Sequence, residues 1–594
     1  MTAVETSDAT SEAARVGGGL DPFTFEVVKN RLASVADEMA LTVTRTARSF
    51  IVKEALDFST ALFTADGELV AQGTCLPLHL GSMPSALDAV LGAFGEEMAP
   101  GDIFALNDPY DGGSHLPDII AVKPVFEAGR KIGYAMCLAH MTDMGGRVPG
   151  SMASDSSEIY QEGLRLPPLR LYAAGRPDEA VFRILERNVR VPDKVLGDVR
   201  SQIAALGVGE RGLIEMVQQF GLEDFRRYCT ELLDYTERFT RSEIAKLPDG
   251  SAVFTDHIDG DGMGSGAITI RARVTVAGDA MEIDFEGTSP QVKGAINSVH
   301  SFTASATWAC VRSILDRNIP NNAGYFRPIV VKTRRGSVVD PRPPAAVAAR
   351  GLTADRVADT VFGALAQLAP ERVPACGQTA PDIAVSFGGY DHDGRPFVFV
   401  EGIVGSWGGG PDRDGMDAST GTIVNYSNTP AEMLEAEQPL RVERYGFAAD
   451  SGGAGRFRGG LAVERHIRFL AEEGALHVRT DRHDHAPYGL AGGGVGGHTA
   501  LRVCRAGGDE DAFHAYLRTT VRKGDLLEVR LASGGGFGDP LAREPERVLA
   551  DHLEDKVTIP HAAEAYGVAI AGTPPRVQEA ETAELRSRRR RDRT

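Results

Sequence analysis

Phe25, Val28, Leu32, Val35 and Met39 recur at alternating steps of three and four, which gathers them on one stripe of a helix and predicts a long amphipathic element. Asp21-Pro22 stands just before it, an N-cap residue followed by proline at the first helical position, so order is expected to begin there. Residues 58–70 then read as two strands joined at an Asp66-Gly67 turn, and residues 82–94 return to helical spacing. Two apolar runs, 119–126 and 132–139, flank the turn-forming Glu127-Ala-Gly-Arg-Lys131 and predict a β-hairpin. Helix formers dominate 178–247, strands resume over 251–285, and helices are expected again near 303–315, 353–368 and 544–552. Beyond about residue 383, short strands alternate with glycine clusters.

At 594 residues the chain exceeds what one hydrophobic core holds, so it reads as a mixed α+β, multidomain protein. The expected parts are a disordered N-terminus (1–19), an α/β metal-site domain (20–177), a helical segment (178–250) and an α+β domain (251–382). A β-rich C-terminal domain with glycine turns (383–572) and a disordered Arg-rich tail (573–594) complete it. No apolar run reaches membrane-spanning length, and the first residues lack the basic start and apolar core of a signal peptide, so a cytoplasmic protein is expected. A formal charge of −19 speaks against nucleic acid as a partner. Six cysteines without a Cys-x-x-Cys pair suggest neither a disulfide framework nor a zinc ribbon. The glycine clusters at 408–410, 452–455, 492–497 and 534–538 invite reading as phosphate loops, yet none ends in Lys-Ser/Thr, so they are expected as tight turns and no nucleotide site is expected.

The hairpin carries the candidate chemistry. His115-Leu-Pro-Asp118 precedes it and His140-Met-Thr-Asp143 follows it. Folding the segment about Gly129 sets Asp118 opposite His140 and His115 opposite Asp143, and paired antiparallel residues hold their Cβ atoms about 4.5 to 5.5 Å apart. Four possible ligands therefore meet at one end, where buried carboxylates call for a cation or a proton. Pro124 marks the first strand as an edge strand or a bulged one. Upstream, Asn107, Asp108 and Asp111 lie in a turn-rich run and are candidates to support the ligands; downstream, Glu162 and Arg165 are candidate pocket residues, and Gly145-Gly146 would let a substrate approach. Two imidazoles with one carboxylate leave coordination positions open, which suits manganese, zinc or iron acting as a Lewis acid.

These stretches resemble the B subunit of the hydantoinase/oxoprolinase family. The likeness runs through Asp57-Phe-Ser59, His79-Leu-Gly-Ser-Met-Pro84, 107–118, 140–146 and Gln161-Glu-Gly-Leu-Arg-Leu-Pro167, then through Pro320-Asn-Asn-Ala-Gly324, 435–444, 450–460 and 534–539, and covers roughly residues 20 to 570. The resemblance implies a two-component, ATP-dependent enzyme whose separate A-type subunit binds ATP and phosphorylates the substrate, which would account for the missing nucleotide loop. Members of the family open hydantoins, 5-oxoproline or other lactams, and a related branch carboxylates acetone or acetophenone, so the resemblance does not choose the substrate; in the acetone carboxylase branch it implies a manganese held at the positions of His115, Asp118 and His140.

The leading expectation is a cytoplasmic hetero-oligomer with an A-type partner, opening a cyclic amide at a divalent metal on His115, Asp118 and His140. Asp143 would orient or deprotonate water, with Asp108 supporting the ligands and Glu162 in the pocket. The alternatives are a subunit of an ATP-dependent ketone carboxylase of the acetone or acetophenone type and a non-catalytic assembly subunit.

Overall fold

The computed structural model describes residues 20–73, 76–378, 384–421 and 423–592; the expected disordered N-terminus over 1–19 lies outside them, as does the expected domain boundary at 382/383. The chain divides into two compact units, one of residues up to 253 and 271–357, the other of 254–270 and 358 onward.

The first unit begins with helix α1 (Pro22–Thr46), whose N-cap Asp21 accepts the Thr24 N–H at 2.8 Å. The five stripe residues are all buried. Strands β1 (Phe58–Thr64) and β2 (Leu69–Gln72) follow around Gly67, which takes φ 88°, and then helix α2 (Ser82–Phe94). With β3 (Ile103–Leu106), β4 (Asp118–Glu127), β5 (Arg130–His140), β6 (Leu169–Ala173) and β7 (Arg176–Pro177) they form a seven-stranded sheet of order β2-β1-β5-β4-β3-β6-β7, antiparallel throughout.

Alternation sorts the two faces. Ile120, Val122, Tyr134, Met136 and Leu138 pack with Met83, Leu87 and Val90 of α2. Helices α3 (Glu179–Asn188), α4 (Pro192–Phe220) and α5 (Leu222–Ile244) come next, and α4 lies against α1, β4 and β5 on the opposite face. The approach is close: a Cβ on Gly209 of α4 would stand 2.8 Å from the Ala135 Cβ, so glycine is what lets helix and sheet touch. Gln202 of α4 donates to the carbonyls of Ile119 and Cys137 at 2.8 and 2.9 Å, tying the helix to both hairpin strands.

A four-stranded sheet of order β11-β10-β9-β8 follows, from β8 (Gly250–Ile258), β9 (Ile268–Ala277), β10 (Ala280–Asp284) and β11 (Ile329–Lys332), with helix α6 (His300–Ile314) between the last two in sequence. Helix α7 (Arg350–Leu368) closes the first unit and opens the second.

The second unit is β-rich. Strands β12 (Ala384–Tyr390) and β13 (Pro396–Gly402) join β16 (Glu473–Arg479) and β19 (Tyr516–Arg522), in the order β13-β12-β16-β19. Strands β14 (Leu440–Ala448), β15 (Ala462–Phe469), β17 (Ala500–Cys504), β18 (Glu510–Ala512) and β20 (Leu526–Arg530) form the sheet β14-β15-β20-β17-β18. Both sheets feed one core of Phe387, Phe399, Ile467, Leu476 and Val529.

Two sequence expectations are corrected here. The glycine clusters are not separate tight turns: Gly409 donates to Gly535, Gly453 to Gly534 and Gly536 to Gly494, so the four clusters pack backbone on backbone. Of the Arg-rich tail expected to be disordered, the described residues 573–592 are instead structured. Residues Glu579–Asp592 form a helix with Glu579 and Glu581 in its first turn and Arg589 to Arg591 in its last, matching the helix dipole, and Arg586 donates to the carbonyls of Arg543 and Tyr566 at 2.6 and 3.3 Å.

Candidate metal centre

The β4–β5 hairpin turns on Ala128-Gly129, both at positive φ (50° and 74°), as a two-residue loop between strands of right-handed twist requires. Glu127 pairs with Arg130, a bulge between Val125 and Phe126 shifts the register, and the ladder then runs on to Asp118 opposite His140. Strand β4 is interior, not an edge. Pro124 is tolerated because β3 pairs only with Ile120 to Val122, so the missing N–H falls beyond the reach of that neighbour.

His115 arrives by a turn rather than by strand pairing. The Asp118 N–H donates to the His115 carbonyl at 3.1 Å, which folds the imidazole back over its own carboxylate partner. His115 Nε2 then stands 3.1 Å from Asp118 Oδ1, and the His115 and His140 ring centroids are 4.9 Å apart. One ligand atom from each of His115, Asp118 and His140 lies within 4.8 Å of the others, and all three residues are buried.

The electrostatics decide what this pocket can hold. Burial, followed by the Arg350 guanidinium, lowers the His115 pKa, so the ring is neutral. Its Nδ1 is 3.0 Å from the Ala348 carbonyl, which can only accept, so the single proton sits on Nδ1 and the Nε2 lone pair faces Asp118. Burial opposes ionisation of Asp118, but the Arg350 guanidinium on its Oδ2 holds its carboxyl below the usual range. Two lone pairs therefore meet at Nε2 and Oδ1. His140 is pushed down to about 3, chiefly by burial, and its Nδ1 is buried without a hydrogen-bond partner. Two imidazole nitrogens in need of a partner, beside an ionised carboxylate, form a donor set that a divalent cation fits.

Arg350 was not foreseen from the sequence. It stands 232 residues from Asp118 and donates to its Oδ2 at 2.5 Å, while Ser114 Oγ bonds the same oxygen. His79, within a stretch that carries the family resemblance, also borders the pocket. Its Nδ1 lies 2.9 Å from Ser59 Oγ, its Nε2 is 3.8 Å from Asp57 Oδ1, and burial pushes it down to about 4 with Asp118, Arg350 and His115 close enough to bear on it.

The other predicted residues go elsewhere. Asp143 is not opposite His115: β5 ends at His140, and the Asp143 carboxylate accepts from the N–H groups of Gly145, Gly150 and Arg190 and from the Arg190 guanidinium, at 2.8 to 3.0 Å. Asp108 accepts from Tyr110 N–H and pairs with Arg165 at 2.6 Å. Asn107 bridges the Leu116 and Leu164 carbonyls and accepts from Leu166 N–H. Glu162 sits one peptide from the centre: its Oε1 accepts the N–H groups of Val347 and Ala348 at 2.8 and 2.9 Å, and Ala348 is the residue that fixes His115. Burial raises the Glu162 pKa to about 8 against those two bonds, and Oε2 is buried without a partner, so the carboxyl is protonated at neutral pH.

A sequence model of the hydantoinase B/oxoprolinase family matches residues 21–540. The chain belongs to that family. It is 34% identical over 570 residues to the caprolactamase subunit beta of Pseudomonas jessenii, covering 93% of this chain and 97% of the relative. Among solved structures, an ATP-dependent caprolactamase from Pseudomonas jessenii matches with a TM-score of 0.89 at 33% identity, covering 96% of this chain and 100% of its own. A nucleotide-free acetone carboxylase matches with a TM-score of 0.90 at 20% identity, covering 96% and 83%, and at that identity the likeness is one of fold. The family is enzymatic, and no helix among the described residues is long and apolar enough to cross a membrane.

Proposed function

We propose that this chain is the metal-bearing B subunit of a two-component, ATP-dependent hydrolase that opens a cyclic amide: a hydantoin, 5-oxoproline or another lactam. The carrying observation is the pair of facing lone pairs on His115 Nε2 and Asp118 Oδ1 beside the orphaned His140 Nδ1, in a member of a family with an ATP-dependent caprolactamase relative. An A-type subunit transfers the ATP γ-phosphoryl group to the amide oxygen; water adds at the activated carbon, the ring C–N bond breaks, and the opened acid, ADP and phosphate leave. His115, Asp118 and His140 would hold a divalent cation, which when bound would supply Lewis acidity.

The protein's own groups prepare that chemistry. The Ala348 carbonyl keeps the His115 Nε2 lone pair available, and Arg350 balances the buried Asp118 charge so that the pocket exists before the cation enters. Glu162 is a positioning residue that holds the Val347–Ala348 peptides. Asp143 and Asp108 act on loops: the first gathers 145–150 onto Arg190, and the second fixes Arg165.

The test is co-purification with the native A-type partner and measurement of ADP release with hydantoin, 5-oxoproline and caprolactam, with and without bicarbonate. Substrate-dependent ADP release with ring opening and no bicarbonate requirement supports the reading. A strict bicarbonate requirement with labelled carbon entering the product would replace it with ketone carboxylation.

A further inference from the structure

A second gathering of imidazoles and carboxylates lies within the second unit. It is assembled from three separated stretches: Asp259 just after β8, the loop 480–486 after β16, and His514 just before β19. His257, His483, His485, His498 and His514, out of 14 histidines in the chain, all belong to it. Such crowding of one residue type has no counterpart in the proposed amide chemistry.

Asp259 is its fixed point. Its side chain is fully buried, and it accepts the N–H groups of His483, Asp484 and His485 at 2.6, 3.2 and 3.2 Å and bonds His485 Nδ1 at 2.7 Å. Its own N–H donates to Asp481 at 2.9 Å. These donors all converge on one carboxylate beneath the loop. Because it is bound by backbone donors, its ordering entropy is already met by folding.

The other two groups face solvent above it. Asp484 Oδ2 lies 3.2 Å from His514 Nε2, with the two side chains 62% and 54% exposed. An ion pair that exposed contributes little by itself, so it does not explain why the two stretches are held in this geometry. The neighbour of His514 is latched instead: the Ala515 N–H donates to His483 Nε2 at 3.2 Å, and the His483 ring packs on His514 with centroids 4.7 Å apart.

One ligand atom from each of Asp259, Asp484 and His514 lies within 4.8 Å of the other two. We propose that these three side chains bind a second divalent transition cation, of the zinc class, in the second unit. The imidazole selects against magnesium and calcium, which take oxygen ligands. Two carboxylate oxygens with one imidazole nitrogen suit zinc or cobalt, with the open positions filled by water. Asp259 reaches the cation by giving up one of its two 3.2 Å backbone contacts, the weaker ones. The bound ion pins the end of β8, the 480–486 loop and the start of β19 to one point, so it raises the unfolding temperature with increasing free metal.

The experiment uses the full chain stripped of metal by chelation and dialysed against Zn2+ alone, with bound metal counted by mass spectrometry and Co2+ replacing Zn2+ for visible spectra. Asp484→Asn/His514→Ala changes only exposed side chains and leaves the Asp259 anchor intact. The wild type is expected to bind one equivalent more than this variant, and the His115→Ala/His140→Ala variant is expected to retain that equivalent together with a Co2+ d–d band. Equal zinc content in the wild type and Asp484→Asn/His514→Ala overturns the proposal. Should the His115→Ala/His140→Ala variant fail to fold, the comparison of wild type with Asp484→Asn/His514→Ala decides alone. Since the readout is bound metal and not turnover, failure of the amide-opening reading leaves this result untouched.

Discussion

His115 Nε2 and Asp118 Oδ1 stand 3.1 Å apart with no proton between them, because the His115 proton is committed to the Ala348 carbonyl. A contact of that kind is repulsive until a cation lies between the partners. Replacing His115 with alanine is therefore expected to remove one equivalent of bound metal and to lower turnover by several orders of magnitude. Metal content and ADP release of the co-purified complex measure both, and a variant that keeps its metal and its rate would refute the assignment.

Arg350 offers a second prediction through the same carboxylate. It donates to Asp118 Oδ2 at 2.5 Å, and its guanidinium lies 4.0 Å over the Phe302 ring. Arg350→Leu keeps apolar volume but strips a buried carboxylate of its counter-charge, which costs about 3 to 5 kcal/mol. The variant without metal should melt well below the wild type, and added Zn2+ should recover part of the loss by supplying a substitute positive charge. Thermal melts with and without metal show it; an unchanged melting temperature in the stripped protein would mean that Arg350 does not carry the balance.

The sequence revealed the hairpin more fully than the pocket around it. Two apolar runs about an Ala-Gly turn fix a local ladder, so the Asp118–His140 pairing follows from counting residues. The pairing of His115 with Asp143 fails for a local reason: β5 ends at His140, and the chain then bends so that Asp143 serves Arg190 and the backbone of 145–150. Arg350 is beyond such counting, since its approach to Asp118 is set by tertiary packing at the start of α7 and not by any periodicity. The glycine clusters show the same limit. Glycine marks where the backbone needs room, and only the fold shows that the room is taken by other glycines.

The Asp143 geometry separates a loop anchor from a catalytic base. Asp143→Asn keeps one oxygen acceptor but loses the charge facing Arg190 and substitutes N–H donors where donors already converge. The expected result is a destabilised protein, by about 2 to 4 kcal/mol, that binds metal with the wild-type stoichiometry. Denaturant unfolding together with metal analysis tests this. Full stability with abolished turnover would restore the role in water activation expected from the sequence.

Glu162 gives the stability a pH dependence of defined sign. Its carboxyl titrates near 4.5 when unfolded and at about 8 when folded, so between those values the native state binds the extra proton. Its contribution is greatest below pH 4.5 and is lost as pH rises through about 8, a change on the order of a few kcal/mol. Glu162→Gln keeps an oxygen for the Val347 and Ala348 N–H groups and cannot ionise. The wild type should lose melting temperature relative to Glu162→Gln as pH goes from 5 to about 9, with the two curves closest at the acid end. Parallel curves across that window would show that the carboxyl is not held neutral.

The glycine packing of the second unit yields the last prediction. A Cβ on Gly534 would stand 2.0 Å from the Trp407 carbonyl oxygen, while Gly459 would meet the Gly534 oxygen at 1.9 Å. Both obstacles are backbone atoms, so no side-chain rotation relieves them, and the cost exceeds the roughly 1 to 3 kcal/mol of ordinary overpacking. Gly534→Ala is thus expected to prevent native packing of the second unit, with the chain recovered in aggregates or cleaved early in limited proteolysis. Gly507→Ala, at a position where an added Cβ meets nothing within 4 Å, is the control and should melt as the wild type does. If both variants fold alike, the clusters do not pack backbone on backbone and are separate turns after all.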